Sequence, residues 1–417
     1  MKKYNNAIII YNHIMNDIII IGGGISGLYC AYCILKREPS KKVLVFEKNN
    51  RLGGRIHTVK DRYMSVECGA GRFHNGNTLL LKLLDELELT ENIVKIGNLE
   101  YTWDNKKKQL KNFKEIYSKI RKSVNFSKKY TPEQLQNESF YNYIVTVLDK
   151  QTADEILNQF GYSSEITHMN AYDAINLMKE HLVSDKDFYA LRGGLSQVVD
   201  RLEKEIKKMG GKIIINRKVE TLDYNKESEI FHIKCDGISR DYKSNECICA
   251  VTASVLSKMP IFKPTHKYIK LIKELPLCRI YSKFPSNGDV WFSDIQRMTM
   301  NNKIRMIIPI NEEQGIIMIS YTDNKYAKYW NNLYETNGVE SINREHKKII
   351  DKEFNKNIPE PINTKVFYWD KGVAYFSPGF DSRMMLKQIM KPYEDKKLYA
   401  CGENFSRYNN QWIEGAL

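Results

Sequence analysis

The sequence predicts an α/β fold: a parallel-sheet domain interleaved with a second domain of helices and a mostly antiparallel sheet. Three observations predict it. Asp17-Ile-Ile-Ile-Ile-Gly22-Gly-Gly24-Ile25-Ser26-Gly27-Leu28 joins a β-branched apolar run to a glycine-rich turn and a helix start. Val43-Leu-Val-Phe-Glu47 supplies a second buried strand that ends on an acid. From about residue 260 to 365, apolar and polar residues alternate with the period of strands.

In the first unit, Gly22 permits the tight turn, Gly24 lets a pyrophosphate approach the backbone, and Gly27 lets the helix pack on its strand. The helix start at Ile25 and Ser26 offers free N–H groups and the positive end of the dipole to phosphates. Glu47 lies 20 residues beyond Gly27, where a carboxylate can accept from ribose hydroxyls. A lone Gly-x-Gly-x-x-Gly says little. Strand, turn, helix, strand and acid together read as a dinucleotide-binding βαβ unit.

Arg51-Leu-Gly53-Gly54-Arg55 follows that acid, and a nicotinamide dehydrogenase needs no second Gly-Gly-Arg cradle there. This extension resembles the flavin-containing amine oxidase superfamily, which includes monoamine, polyamine and L-amino-acid oxidases. The resemblance returns in Leu398-Tyr-Ala-Cys-Gly402-Glu403 and Gln411-Trp412-Ile413-Glu414-Gly415-Ala416-Leu417. A desaturase-type flavoprotein shares the first motif, but the closing one fits amine oxidases better. The resemblance implies an FAD-binding Rossmann-like domain of the GR2 type. It implies FAD contacts at Gly53, Gly54, Arg55, Gly69, Ala70, Gly71, Arg72, Gly402, Glu403, Trp412 and Ile413, with the adenine held by the backbone at Val219. Monoamine oxidases carry a cysteine, bonded to the flavin, where this sequence has Ala374, so the FAD is expected to be non-covalent. In the family the chain continues one helix beyond Leu417.

The expected organisation is FAD-binding segments over 15–76, 191–258 and 364–417, a helical part of the substrate domain over 77–190, and its sheet over 259–363. The helical reading rests on repeats such as Leu79-Leu-Leu-Lys-Leu-Leu-Asp-Glu-Leu. Gly193-Gly194 opens a helix back in the nucleotide domain, and residues 210–219 and 247–251 supply further strands. A helix near 337–354 is expected to interrupt the substrate sheet.

The 417-residue chain carries a formal charge of +14. Its basic clusters, such as Lys106-Lys-Lys108 and Lys119-Ile-Arg121-Lys122, are scattered, which fits solvated faces and no nucleic-acid partner. A positive field still favours anionic ligands. The eight cysteines show neither metal-ligand spacing nor a disulfide framework, so no metal and a reducing, cytoplasmic setting are expected. Cys30 and Cys33 form a C-x-x-C inside the first helix and read as core packing. No apolar run is long enough to span a membrane. Residues 1–14 mimic a signal peptide, but the apolar run is short and no cleavage site follows, so they read as a dispensable arm.

Oxidation of a C–N bond by flavin needs a neutral amine held with its α-hydrogen toward the ring and water excluded. By resemblance to monoamine and polyamine oxidases, Tyr375 and Trp412 are the paired rings that flank the amine; the plain alternative is that both are core aromatics. Arg72, in Glu67-Cys-Gly69-Ala70-Gly71-Arg72-Phe73, resembles the arginine that forks onto the substrate carboxylate in L-amino-acid oxidases, and Tyr321 resembles its companion. Arg72 could instead contact flavin or a structural carboxylate. Arg279 stands where the family usually has a lysine that holds a water near the ring, and Gln411 replaces a common glycine. Three readings follow: an L-amino-acid-oxidase-like enzyme, a polyamine or monoamine oxidase, and a flavin-binding protein without activity. The first two take a small amine or amino acid and pass electrons to oxygen or another acceptor.

Overall fold

Isoleucines 18–21 are all buried, as a central parallel strand covered on both faces requires. The computed structural model describes residues 15–182, 187–238, 241–408 and 410–417, and places Met15–Ile21 inside a seven-stranded sheet. Residues 1–14, with the arm expected there, lie outside the described residues. Val43–Phe46 and Asp241–Cys249 flank the first strand in parallel, and Lys212–Ile214 and Leu398–Ala400 extend the parallel part on either side. Val219–Asn225 and Ile230–Cys235 add an antiparallel meander. Pieces far apart in sequence therefore share one sheet.

The helices Ile25–Arg37 and Ser196–Lys208 cover one face of this sheet. Val198, Val199, Leu202 and Ile206 form an apolar stripe that meets Leu28, Ala31 and Leu35. Each fully buried aliphatic side chain of this kind contributes about 1.5–3 kcal/mol. Phe262, Phe380 and Leu386 fill the opposite face against Phe46 and Cys249.

A second seven-stranded sheet carries the order Asn363–Phe376, Ile272–Lys283, Ile316–Asp323, Met306–Asn311, Met298–Met300, Tyr101–Asp104, Gln109–Asn112. It is antiparallel except where Met298–Met300 runs parallel to Tyr101–Asp104. The helix Asn324–Phe354 packs on it through Trp330, Ile342 and Ile350. Gly338, at φ 73°, breaks that helix in two, so the expectation of a helix over 337–354 captured its second half only. The first half is rich in Asn, Lys and Tyr and presents a weaker apolar stripe.

Residues 77–190 are not helical throughout. Ile93–Ile96, Tyr101–Asp104 and Gln109–Asn112 are strands, each only four residues long and too short for its period to stand out. Ile93–Ile96 pairs with Phe188–Leu191, which also pairs with Phe73–His74. The helices that follow, among them Lys114–Phe126, Phe140–Val147, Lys150–Gln159 and Ala171–Leu182, enclose Phe113, Ile120, Phe140, Tyr143 and Ile156. Arg305 ties this layer to the sheet. Its buried guanidinium donates to the carbonyls of Leu157, Asn158, Phe160 and Met300, at the end of the helix that precedes Tyr162. No helix of the described residues is long and apolar enough to cross a membrane.

Candidate active site

The glycine turn is fixed by close approach. A Cβ on Gly27 would lie 2.0 Å from the Gly22 carbonyl oxygen, and one on Gly22 2.3 Å from the Ala250 oxygen. Gly24 differs: a Cβ there would meet nothing nearer than the Gly54 Cα at 4.0 Å. The backbone over Gly24 is thus open on the side that faces Gly54, while Gly53 donates its N–H to the Gly23 carbonyl. No side chain caps the helix that begins at Ile25, so its first N–H groups remain available to an anion. This is the room and polarity that the pyrophosphate of FAD needs.

Glu47 is buried, and its carboxylate accepts from the N–H groups of Gly23 and Asn49 and from the Asn49 side chain. These contacts fix its orientation and leave lone pairs for ribose hydroxyls. Arg217 N–H donates to the Glu47 carbonyl, which brings the start of the Val219 strand beside the acid. At the other end of the cradle, Arg55 pairs with buried Glu403 at 2.8 Å and donates to the Gly372 carbonyl. Arg55 and Glu403, both expected on the cofactor, therefore also hold each other. Gly402, at φ 128°, sits against Ser26, where a Cβ would meet the hydroxyl at 3.6 Å. Glu403 accepts from the Gln411 N–H as well. Gln411 has φ 73°, a left-handed conformation that glycine adopts without strain, which explains why glycine suits this position. Cys30 is half-buried and faces Cys401, with sulfurs 3.7 Å apart, so it packs onto the closing segment as well as into the helix face.

Gly69, Ala70 and Gly71 run tightly between two elements. A Cβ on Gly69 would strike the Arg55 carbonyl oxygen at 1.9 Å, and one on Gly71 would come within 3.2 Å of the Arg279 guanidinium. Arg279 donates from Nη1 to the Glu67 carbonyl and from Nη2 to the Tyr321 hydroxyl, and its Cζ lies 4.5 Å from the Tyr321 ring centre. Tyr321 is thus joined to Arg279. Burial alone would raise the Tyr321 phenol. Arg279, the hydrogen bond with Tyr162, and Arg72 together bring it below the ordinary tyrosine value.

Arg72 lies across two rings, with Cζ 4.9 Å from the Phe188 centre and 5.6 Å from that of Trp412. Its side chain makes no hydrogen bond or ion pair with another described residue. Trp412 is half-buried and also meets His74 at 5.4 Å and Phe188 at 6.1 Å. Tyr375 does not join it. That residue is 1% exposed and packs with Val373 in the core of the helical layer, close to Glu165, Tyr162 and Tyr321, and the ring that meets Trp412 is Phe188. The strand period puts Tyr375 on the face turned to the helices. Ile413 is buried, and Glu414 accepts from the N–H groups of Leu79 and Leu80, capping the helix Thr78–Glu86 in place of a local side chain.

Sequence reasoning missed Phe188, Tyr162, Glu165 and Arg297. Tyr162 packs edge-on to Tyr321 with ring centres 5.4 Å apart. Ser163 Oγ and Ser164 N–H donate to Asp323, which pins the short helix Ser163–Thr167 to the end of the Tyr321 strand. Tyr162, Glu165 and Arg279 are all half-buried. Burial pushes the Glu165 carboxyl up to about 8; Asp323 adds to the rise and Arg72 opposes it. No sequence signal marks this acid, since its place depends on how the helical layer folds over the sheet.

The family described as flavin containing amine oxidoreductase matches residues 25–417. An uncharacterized protein, R188, of Acanthamoeba polyphaga mimivirus is 21% identical over 472 aligned positions, covering 96% of this chain and 91% of that protein. The flavin-containing amine oxidase A of Equus caballus is 38% identical over 76 residues, 18% of this chain and 14% of that one. Among solved structures, wild-type putrescine oxidase bound to putrescine superposes with a TM-score of 0.74 at 17% identity, covering 97% of this chain and 96% of that chain.

Proposed function

From the premise that this chain belongs to the flavin-containing amine oxidoreductases, an enzyme family that uses FAD, we propose that it oxidises the α-amino group of an L-amino acid. One observation carries the reading: Arg72 presents a guanidinium to the inner cleft, supported by the Phe188 and Trp412 rings and not engaged by any described carboxylate. A guanidinium in that state matches a carboxylate bidentately. Bound FAD supplies the two-electron hydride acceptor, and Ala374 offers no atom for a covalent link to it.

The chain's own residues bind, orient and exclude water. Arg72 holds the carboxylate and Trp412 and Phe188 wall the cleft. The Tyr321 oxygen, held by Arg279, accepts a proton from the substrate ammonium in its phenolate form, and the lowered pKa raises the fraction in that form. Oxygen is the acceptor that this reading assigns, with imino acid and hydrogen peroxide as products.

Glu165 favours a second reading, oxidation of an amine or polyamine, because an enclosed acid is the group that would hold a second ammonium. Arg72 argues against it, since the residue faces the same space. Anaerobic mixing with L-amino acids and with polyamines separates the two. Amino acids are expected to bleach the flavin, and Arg72→Ala to cut the rate constant over KM by about 100-fold, as truncating one partner of a desolvated charge pair does. Bleaching by polyamines alone would overturn the amino-acid reading.

A further inference from the structure

Charge in the inner cleft is one-sided. Arg72 lies within electrostatic reach of a second half-buried guanidinium, Arg297, which borders the strand Met298–Met300. Arg297 runs past Gly97, where a Cβ would stand 3.7 Å from its Nε, and Gly97 follows Ile96, the strand partner of the Phe188 whose ring lies beneath Arg72. Neither side chain forms an ion pair or hydrogen bond with another described residue. Burial first, and the charge of Arg72 second, lower the Arg297 guanidinium, as expected of two like charges held together with no counter-ion. A third guanidinium, Arg279, donates to a carbonyl and to the Tyr321 phenol, with Tyr281 and Tyr162 beside it, and forms no ion pair with a described residue.

No described acid forms an ion pair with these cations: the Asp323 carboxylate accepts from Ser163 and Ser164, and that of Glu67 from the Leu195 N–H and the Thr58 hydroxyl. Glu165 holds its proton near neutral pH. Two enclosed, unpaired guanidiniums cost folding energy unless a ligand brings the missing negative charge.

We propose that the substrate is an acidic α-amino acid, whose α-carboxylate sits on Arg72 and whose side-chain carboxylate sits on Arg297. The inference rests on the amino-acid reading above and narrows it to one substrate class. Glutamate and glutamine have the same shape and differ by the charge in question. Steady-state oxidation of the two is therefore the test. Glutamate, or its shorter homologue aspartate, is expected to exceed its amide in kcat/KM by on the order of 10- to 100-fold, mostly through KM, as a charged hydrogen-bonded contact dictates. Arg297→Gln collapses the acid-to-amide ratio toward one, and Arg297→Lys restores part of it. A preserved bound-flavin spectrum and melting temperature show that each variant is folded.

Equal or better turnover of the amide, or an unchanged ratio in Arg297→Gln, overturns the proposal. If glutamine, leucine or lysine is oxidised and the acids are not preferred, amino-acid oxidation stands and the acidic-substrate inference fails. If no amino acid reduces the flavin, both fail.

Discussion

The cofactor cradle and the inner cleft solve opposite problems. The cradle is built from backbone: Gly22, Gly24, Gly27, Gly53 and Gly54 bring chain segments together and leave N–H groups facing open space. The cleft is built from side chains that arrive on separate elements: Arg72 beside the strand Phe73–His74, Phe188 from its neighbour, Tyr162 and Glu165 from the helical layer, Arg279 and Tyr321 from the second sheet, and Trp412 from the closing segment. Backbone recognition fits any dinucleotide and tolerates little change. Side-chain recognition can be rewritten one residue at a time while the fold persists. That difference teaches where this molecule can vary: its cradle is constrained and its cleft is free.

The largest expected effect breaks the cradle. Gly27→Ala places a methyl group 2.0 Å from the Gly22 oxygen, so the helix must move off its strand. A loss of about 3 kcal/mol and of bound flavin is expected, read by denaturant unfolding and absorbance at the flavin bands. Retained flavin with unchanged stability would show that the turn is looser than its contacts imply.

Arg305→Leu acts on the other region. It leaves three carbonyls at the end of the helix Lys150–Gln159, and that of Met300 in the sheet, without their donor. A cost near 3 kcal/mol is expected, with faster amide exchange over residues 157–165. The cradle should keep its flavin. Loss of flavin with no change in that segment would mean that the two regions are not separable.

The smallest effect is a pH slope. Glu165 has its carboxyl raised from 4.5 to about 8 by burial, with Asp323 adding to it. Between these values the unfolded chain has released this proton and the folded one retains it, so the group favours the native state below about 4.5 and its contribution declines as pH rises toward 8. Glu165→Gln is expected to flatten that decline by roughly 1–2 kcal/mol, measured as the difference between the two proteins' unfolding free energies at pH 5 and pH 8. Parallel curves would show that the Glu165 carboxyl is not raised in the folded protein.

By itself, the sequence determined the cradle. Gly22, Gly24, Gly27, Glu47 and the Gly53-Gly54-Arg55 extension sit at fixed spacings because a tight turn, a helix start and a strand end are local structures. The parallel strands and the antiparallel second sheet were legible for the same reason: period two and β-branching act over a few residues. Tertiary structure alone decided the cleft. Tyr375 packs in the helical core, Tyr321 hydrogen-bonds Arg279, and Glu165 and Arg297 enter from segments that carry no motif. Those side chains meet only after distant strands have paired and the helices have closed over them, and no local spacing encodes which face each will present.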